Sequence, residues 1–193
     1  MARDRASRPE ARPLRLFVAF DIPREIRHRL AATVERFHDL VPGARWVPPE
    51  NWHVTMKFLG SVYPRLRGRV EEAVADTAAE GTSGTSRLTE IGAFPSARRA
   101  RVLWAGLEDT DERIRRLATS LDDLLEPDFQ PESRPYTPHL TVARLRQQAT
   151  IPHQVLSTEV SSEQFDVTEL VLYRSYLQRP AARYEAIGRF PLA

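Results

Sequence analysis

The chain contains no cysteine, which excludes disulfide bonds, thiolate catalysis and cysteine-ligated zinc from its chemistry. No apolar run in the sequence approaches the roughly 20 residues that a membrane-spanning helix requires. No segment combines the short basic start and the apolar core of a secretory signal peptide. Together these absences predict a cytoplasmic protein without a membrane segment.

Lysine is almost as scarce as cysteine, since Lys57 is the one lysine among the 28 basic residues. The net charge is only +2 at pH 7, which does not favour the wrapping of a long polyanion but is compatible with a local basic groove. An arginine-rich composition is typical of a GC-rich genome. Arginine also suits phosphate recognition, because its planar guanidinium binds paired oxygens.

The hydrophobic pattern predicts one folded domain behind a short tail. Residues 1–13 hold several arginines and prolines without apolar periodicity, which predicts a disordered tail. Residues 14–193 interleave strand-like segments, such as LRLFVAF at 14–20, with helical patterns, such as the one at 65–80. We therefore predict the α+β class, with mixed or mainly antiparallel sheet.

Two local patterns between these elements carry their own predictions. The segment GTSGTS at 81–86 is typical of a flexible loop. Asp109 and Glu112 have the spacing of a capping box, which predicts that a helix begins there.

One internal repeat stands out, because HVTM at 53–56 and HLTV at 139–142 share the pattern histidine, apolar, threonine, apolar. Side chains alternate between the faces of a strand. His53 and Thr55 should therefore project together, as should His139 and Thr141, while the apolar residues enter the core. The same alternation places Lys57 on the face of His53.

Two histidine–threonine pairs around one cavity suit the displacement of a phosphodiester. One imidazole takes the proton of the attacking group and the other protonates the leaving oxygen, since histidine has an unperturbed pKa of about 6.5. Threonine hydroxyls can donate to the non-bridging oxygens, where charge develops. Zinc takes three or four protein ligands, and the repeat offers two histidines without a carboxylate in register. We therefore predict a site without metal or other cofactor.

Several sequence blocks carry a family resemblance: RLFVAF, NWHVTMKFLG, GAFP with RVLWAG, PHLTVARL and LVLYRSYL. With them the chain resembles the two-histidine phosphoesterase superfamily. It most resembles the bacterial and archaeal RNA 2',3'-cyclic phosphodiesterases, also known as LigT-like proteins or 2'-5' RNA ligases. The resemblance implies two pseudo-symmetric halves of mainly antiparallel sheet, with helices packed outside and the histidines facing each other across a central groove.

The resemblance also implies roles for the site residues. His53 would be the general acid on the departing 3'-oxygen, and His139 would activate water. Thr55 and Thr141 would hold the phosphate, and the RNA product would end in a 2'-phosphate. Arg144 falls on a substrate-binding position of the family.

Two of the candidate residues carry open alternatives. Strict alternation puts Arg144 on the core side of its strand, so the strand must end or bulge there. Lys57 either contributes positive charge beside His53 or is a solvated lysine at the edge of the sheet.

The leading functional hypothesis is hydrolysis of 2',3'-cyclic phosphates at RNA ends or in small cyclic nucleotides by a monomeric enzyme. A second hypothesis is reversible 2'-5' RNA ligation, or cleavage of a 2'-5' linkage, by the same groups. A third is a non-catalytic module that binds RNA ends.

Overall fold

The computed structural model describes residues 12–160, 162–179 and 181–193, so that most of the predicted tail at 1–13 lies outside the described residues. These residues form ten strands: β1 Leu14–Asp21, β2 Ala44–Trp46, β3 His53–Val62, β4 Gly84–Ser86, β5 Leu88–Phe94, β6 Ala100–Leu107, β7 His139–Ala149, β8 Phe165–Val167, β9 Glu169–Tyr176 and β10 Arg183–Pro191. The described part of the chain also forms four α-helices: α1 Arg24–Glu35, α2 Arg67–Glu80, α3 Arg113–Leu125 and α4 His153–Leu156.

The main sheet consists of two halves that meet at its centre. Its strand order is β10-β9-β1-β3-β7-β6-β5, and β2 also pairs with β7. Every strand pair among the described residues is antiparallel, and β4 and β8 form a separate small sheet. The two halves join where β3 lies beside β7, and the cross-strand partners there are Val54 and Leu140. The predicted α+β class is confirmed.

The helices cover one face of this sheet and form the core with it. The apolar stripe of α3 is fully buried at Ile114 and Leu121, because these residues recur at helical spacing on one face. Helix α3 contacts both α2 and β3, and α2 contacts β9 and β10. Val54 and Met56 of β3 are buried in the same core. The opposite face of the sheet centre therefore stays open.

Each of the two central strands carries a bulge at the same place in its motif. In β3, Thr55 pairs with Ala19 while Lys57 pairs with the preceding Val18, so that Met56 is an extra residue. In β7, Val142 is the extra residue by the same shift. A bulge resets the alternation of side chains along a strand. As a result, residues 53–59 and 139–145 have the same sequence of buried and accessible side chains.

The bulges decide where Lys57 and Arg144 lie. The prediction that Lys57 shares the face of His53 is wrong, because the bulge turns Lys57 into the core. There its ammonium forms a salt bridge with Asp122 of α3 and donates to the Gln130 carbonyl. The bulge in β7 returns Arg144 to the open face, where it is exposed. The fifth residue after His53 is Phe58, which is likewise exposed.

Two further sequence predictions need correction. Part of the predicted loop at 81–86 is strand β4, whose residues pair with Phe165–Val167 of β8. The predicted capping box is only half formed. The Asp109 carboxylate accepts the backbone N–H groups of Ile114 and Arg115, but Glu112 stands at the N-cap itself, with a positive φ of 57° and no side-chain capping bond.

Because Lys57 is buried in the core, we expect its substitution to lower the stability of the protein without changing the chemistry of the site. Lys57→Met leaves the half-buried Asp122 carboxylate without its cation, and removal of one partner of a buried ion pair costs about 3 kcal/mol. We expect the free energy of unfolding, measured by urea denaturation, to fall by about that amount. Arg67→Met, which removes the exposed Arg67–Glu71 pair of α2, should change it by less than about 1 kcal/mol. Equal effects of the two substitutions would contradict the buried role of Lys57.

Candidate active site

A cleft of about 870 Å³ opens on the uncovered face where the two half-sheets meet. The structure brings five of the six sequence-predicted site residues into its lining: His53, Thr55, His139, Thr141 and Arg144. Lys57 is the exception, because it points into the core on the other side of β3. The two imidazoles therefore face one common space, as the internal repeat predicted.

The backbone orients both imidazoles in the same way. His53 Nδ1 lies 2.8 Å from the carbonyl oxygen of Asn51, and His139 Nδ1 lies 2.7 Å from that of Thr137. A carbonyl oxygen only accepts hydrogen bonds, so Nδ1 is the protonated nitrogen of each neutral ring. The Nε2 atom of each ring is left to exchange a proton with a bound group.

Aromatic side chains hold both rings in place. Phe17 stacks on His53 with a centroid distance of 4.7 Å, and Tyr184 meets the same ring edge-on at 5.2 Å. Phe94 meets His139 edge-on at 5.0 Å, and Trp104 lies next to it. Such contacts restrict ring rotation, which fixes the direction in which each Nε2 points.

The surroundings lower the pKa of both histidines. Burial is the main cause for each ring, because desolvation disfavours the charged imidazolium. The pKa of His53 falls to about 4 and that of His139 also falls below its usual value. The positive charge of Arg144 lowers both pKa values further. Both rings are therefore neutral at pH 7 in the free protein.

Four arginines of the described residues line the cleft, two from each half of the sheet. Arg144 stands directly opposite Arg45 of β2, and both line the cleft, as do Arg15 and Arg179. The planar guanidinium group binds paired oxygens, so these residues suit a phosphate group.

Two residues of the site region differ from what the sequence indicated. Asn51 had no predicted role, yet its backbone carbonyl orients His53 while its side-chain amide donates to the Ala182 carbonyl at 2.8 Å. A backbone acceptor leaves no signature in the sequence. Tyr136, in the loop before β7, likewise has a role that the sequence did not indicate, since it donates its buried hydroxyl to the Thr55 carbonyl.

No group of three or more histidine, aspartate or glutamate side chains within residues 12–160, 162–179 and 181–193 is arranged to hold a metal ion. No helix in the same part of the chain has the length and apolarity to cross a membrane.

The sequence profile of the LigT like Phosphoesterase family matches residues 20–104 and 106–184, and each matched stretch contains one histidine motif. The RNA 2',3'-cyclic phosphodiesterase of Methanothermobacter thermautotrophicus is 32% identical over 93% of this chain and 99% of its own length. That of Geobacillus stearothermophilus is 29% identical over 91% of this chain, which spans 56% of the Geobacillus protein. The crystal structure of Escherichia coli LigT complexed with 3'-AMP superposes with a TM-score of 0.75, at 27% identity, covering 93% of this chain and 98% of that chain.

The electrostatics of the cleft predict how the two histidines titrate. In an NMR titration of the free protein, His53 should titrate with a pKa of about 4 and His139 below its usual value. Arg144→Gln should raise both pKa values, because it removes a positive charge that acts on both rings. Arg101→Gln, which changes an exposed arginine of β6, should leave both unchanged. A rise in only one of the two would show that Arg144 does not face both imidazoles.

Proposed function

The chain belongs to the LigT like phosphoesterase family, and from this premise we propose that it hydrolyses RNA 2',3'-cyclic phosphate ends to a 2'-phosphate. One observation carries the proposal. Two imidazoles with the same Nδ1 tautomer line one cleft beside Arg144. An acid and a base are thereby available around a single anion-binding position.

In the proposed reaction, a water molecule attacks the phosphorus while His139 Nε2 takes its proton. The bond from phosphorus to O3' breaks, and His53 Nε2 donates a proton to O3'. The products are a 3'-hydroxyl and a 2'-phosphate. Proton exchange with solvent then returns His53 to its protonated form and His139 to its neutral form.

The remaining cleft residues would stabilise charge on the phosphate. The hydroxyls of Thr55 and Thr141 lie on the same strand faces as the two histidines and would donate to the non-bridging oxygens, where negative charge grows. The Arg144 guanidinium would bind two of the same oxygens through two parallel N–H groups. These groups act on the phosphate and the ribose oxygens, so RNA ends and small cyclic nucleotides would both be substrates.

The general acid must carry a proton, although the pKa of free His53 is about 4. A bound phosphodiester brings a negative charge into the cleft and compensates Arg144, both of which favour the imidazolium. Substrate binding would therefore raise the pKa of His53 and supply the ring with the proton that it donates to O3'. The cytoplasmic location and the monomeric state stay predictions from the sequence.

The proposal is tested by incubating the protein, in EDTA, with a short RNA that ends in a 2',3'-cyclic phosphate. We expect a 2'-phosphate product at the same rate with and without EDTA. His53→Ala and His139→Ala should each lower kcat by about 10³-fold, as loss of a general acid or base does. His28→Ala, on the exposed face of α1, should have no effect. Tight binding without product would favour an RNA-end-binding module, and a joined 2'-5' product would favour ligation.

The lowered pKa values also predict the pH dependence. Activity requires one protonated and one neutral imidazole, and kcat/KM reports the free enzyme. Both free-enzyme pKa values lie below the usual 6.5, so kcat/KM should be bell-shaped with its maximum below pH 6.5. Above that pH it should fall about tenfold per unit, since the protonated fraction falls by that factor. The profile of kcat should reach its maximum at higher pH, and a kcat/KM that rises from pH 6.5 to 8 would contradict the assignment.

A further inference from the structure

The internal repeat gives the two histidines equivalent backbone contacts, although the proposed reaction needs them in opposite protonation states. Both rings donate Nδ1–H to a carbonyl two residues earlier, and both contact aromatic side chains. Burial and Arg144 lower the pKa of both. Some feature outside the repeated motif must therefore distinguish the acid from the base.

The strand that flanks each motif supplies this difference. The cross-strand partner of His53 is Asp21 of β1, whereas the partner of His139 is Gly106 of β6. Directly opposite residues of an antiparallel pair project from the same face, with neighbouring Cβ atoms. His53 thus has a carboxylate beside it at the position where His139 has no side chain.

Other side chains hold this carboxylate in place. The Tyr173 hydroxyl donates to Asp21 at 2.5 Å, and Arg189 lies 3.6 Å from the other carboxylate oxygen. The Tyr173 ring stacks on Phe17 with a centroid distance of 5.2 Å, and Phe17 in turn stacks on His53. The carboxylate and the imidazole are therefore fixed to the same aromatic stack.

We propose that Asp21 is the positioning residue that makes His53, and not His139, the proton donor of the pair, an inference that rests on the proposed function. Its negative charge stabilises the imidazolium of His53 relative to that of His139. Once a substrate phosphate compensates Arg144, the charge of Asp21 persists and continues to favour the imidazolium of His53.

The groups that face His53 act in different directions. Asp21 of β1 raises its pKa, whereas Arg144 and His139 of β7 lower it. Tyr173 of β9 and Tyr184 of β10 contact the ring as uncharged side chains. Burial outweighs all of them in the free protein, so the effect of Asp21 should appear most clearly in the substrate complex.

Asp21→Asn tests this role, because asparagine keeps an oxygen that can accept from Tyr173 but carries no charge. The alkaline limb of the kcat profile, which reports the proton donor in the substrate complex, should move to lower pH by about one unit. A shift of that size corresponds to a roughly tenfold loss of kcat at pH 8. At pH 5.5 the variant should approach the parent rate. Asp166→Asn, an exposed change in the separate small sheet, should not move the limb.

A substrate in which sulfur replaces O3' separates a proton-donor effect from general damage. A thiolate departs from phosphorus without receiving a proton, so Asp21→Asn should turn over this substrate at the parent rate. An equal loss on the oxygen and sulfur substrates would overturn the proposal, as would an unchanged kcat profile. Both results differ from failure of the proposed function, in which the parent protein itself would not open the cyclic phosphate.

A second variant keeps the proposal testable if Asp21→Asn does not fold. Tyr173→Phe retains the stacked ring and removes the hydroxyl that donates to Asp21. The carboxylate then loses one donor that screens its charge, while Arg189 and its register opposite His53 keep it in place. The alkaline limb should therefore move to higher pH, opposite to the effect of Asp21→Asn. A shift in the same direction for both variants would show that Asp21 acts only through packing.

Discussion

The pairing of β3 with β7 is the contact on which the cleft depends. The two half-sheets meet there through the cross-strand partners Val54 and Leu140, both fully buried in the shared core. Each partner follows a motif histidine directly in the chain. Burial of these two apolar side chains on one face therefore sets the two imidazoles on the other face, next to each other. The hydrophobic core and the chemistry of the cleft are specified by the same four residues.

The matched bulges extend this arrangement beyond the motif itself. Without them, alternation would bury Phe58 and Arg144 and would expose Lys57 in the cleft. With them, the one lysine of the chain ties β3 to α3 in the core, and an arginine takes the position beside the histidines. Burial of the two rings disfavours their charged imidazolium form and so lowers their pKa values. The same burial strengthens the attraction between a bound anion and the charged groups of the cleft.

Much of this was predictable from the sequence, and the errors have identifiable physical causes. Strands β1, β3 and β7 and the α+β class follow from hydrophobic periodicity, and the common cleft follows from the repeat at 53–56 and 139–142. The position of Lys57 was not predictable, because a bulge is a register shift between two strands and leaves no mark in either strand alone. The role of Asn51 was hidden for a similar reason, since its backbone carbonyl is the acceptor. Asp21 becomes visible only once the cross-strand partner of each histidine is known.

The unlike side chains of the fifth residue after each motif histidine make the two sides of a nearly symmetric cleft different. Phe58 offers an apolar flank on the β3 side, whereas Arg144 offers a cationic flank on the β7 side. A cyclic phosphate has two ester oxygens, and by the internal symmetry alone either of them would approach either histidine. Directly beside the histidines, only the β7 side has a guanidinium at this position, and Arg15 and Arg179 line the cleft on the β3 side. Under the proposed function, this difference beside the two histidines would favour one orientation of a bound cyclic phosphate, and with it the breaking of one of the two ester bonds.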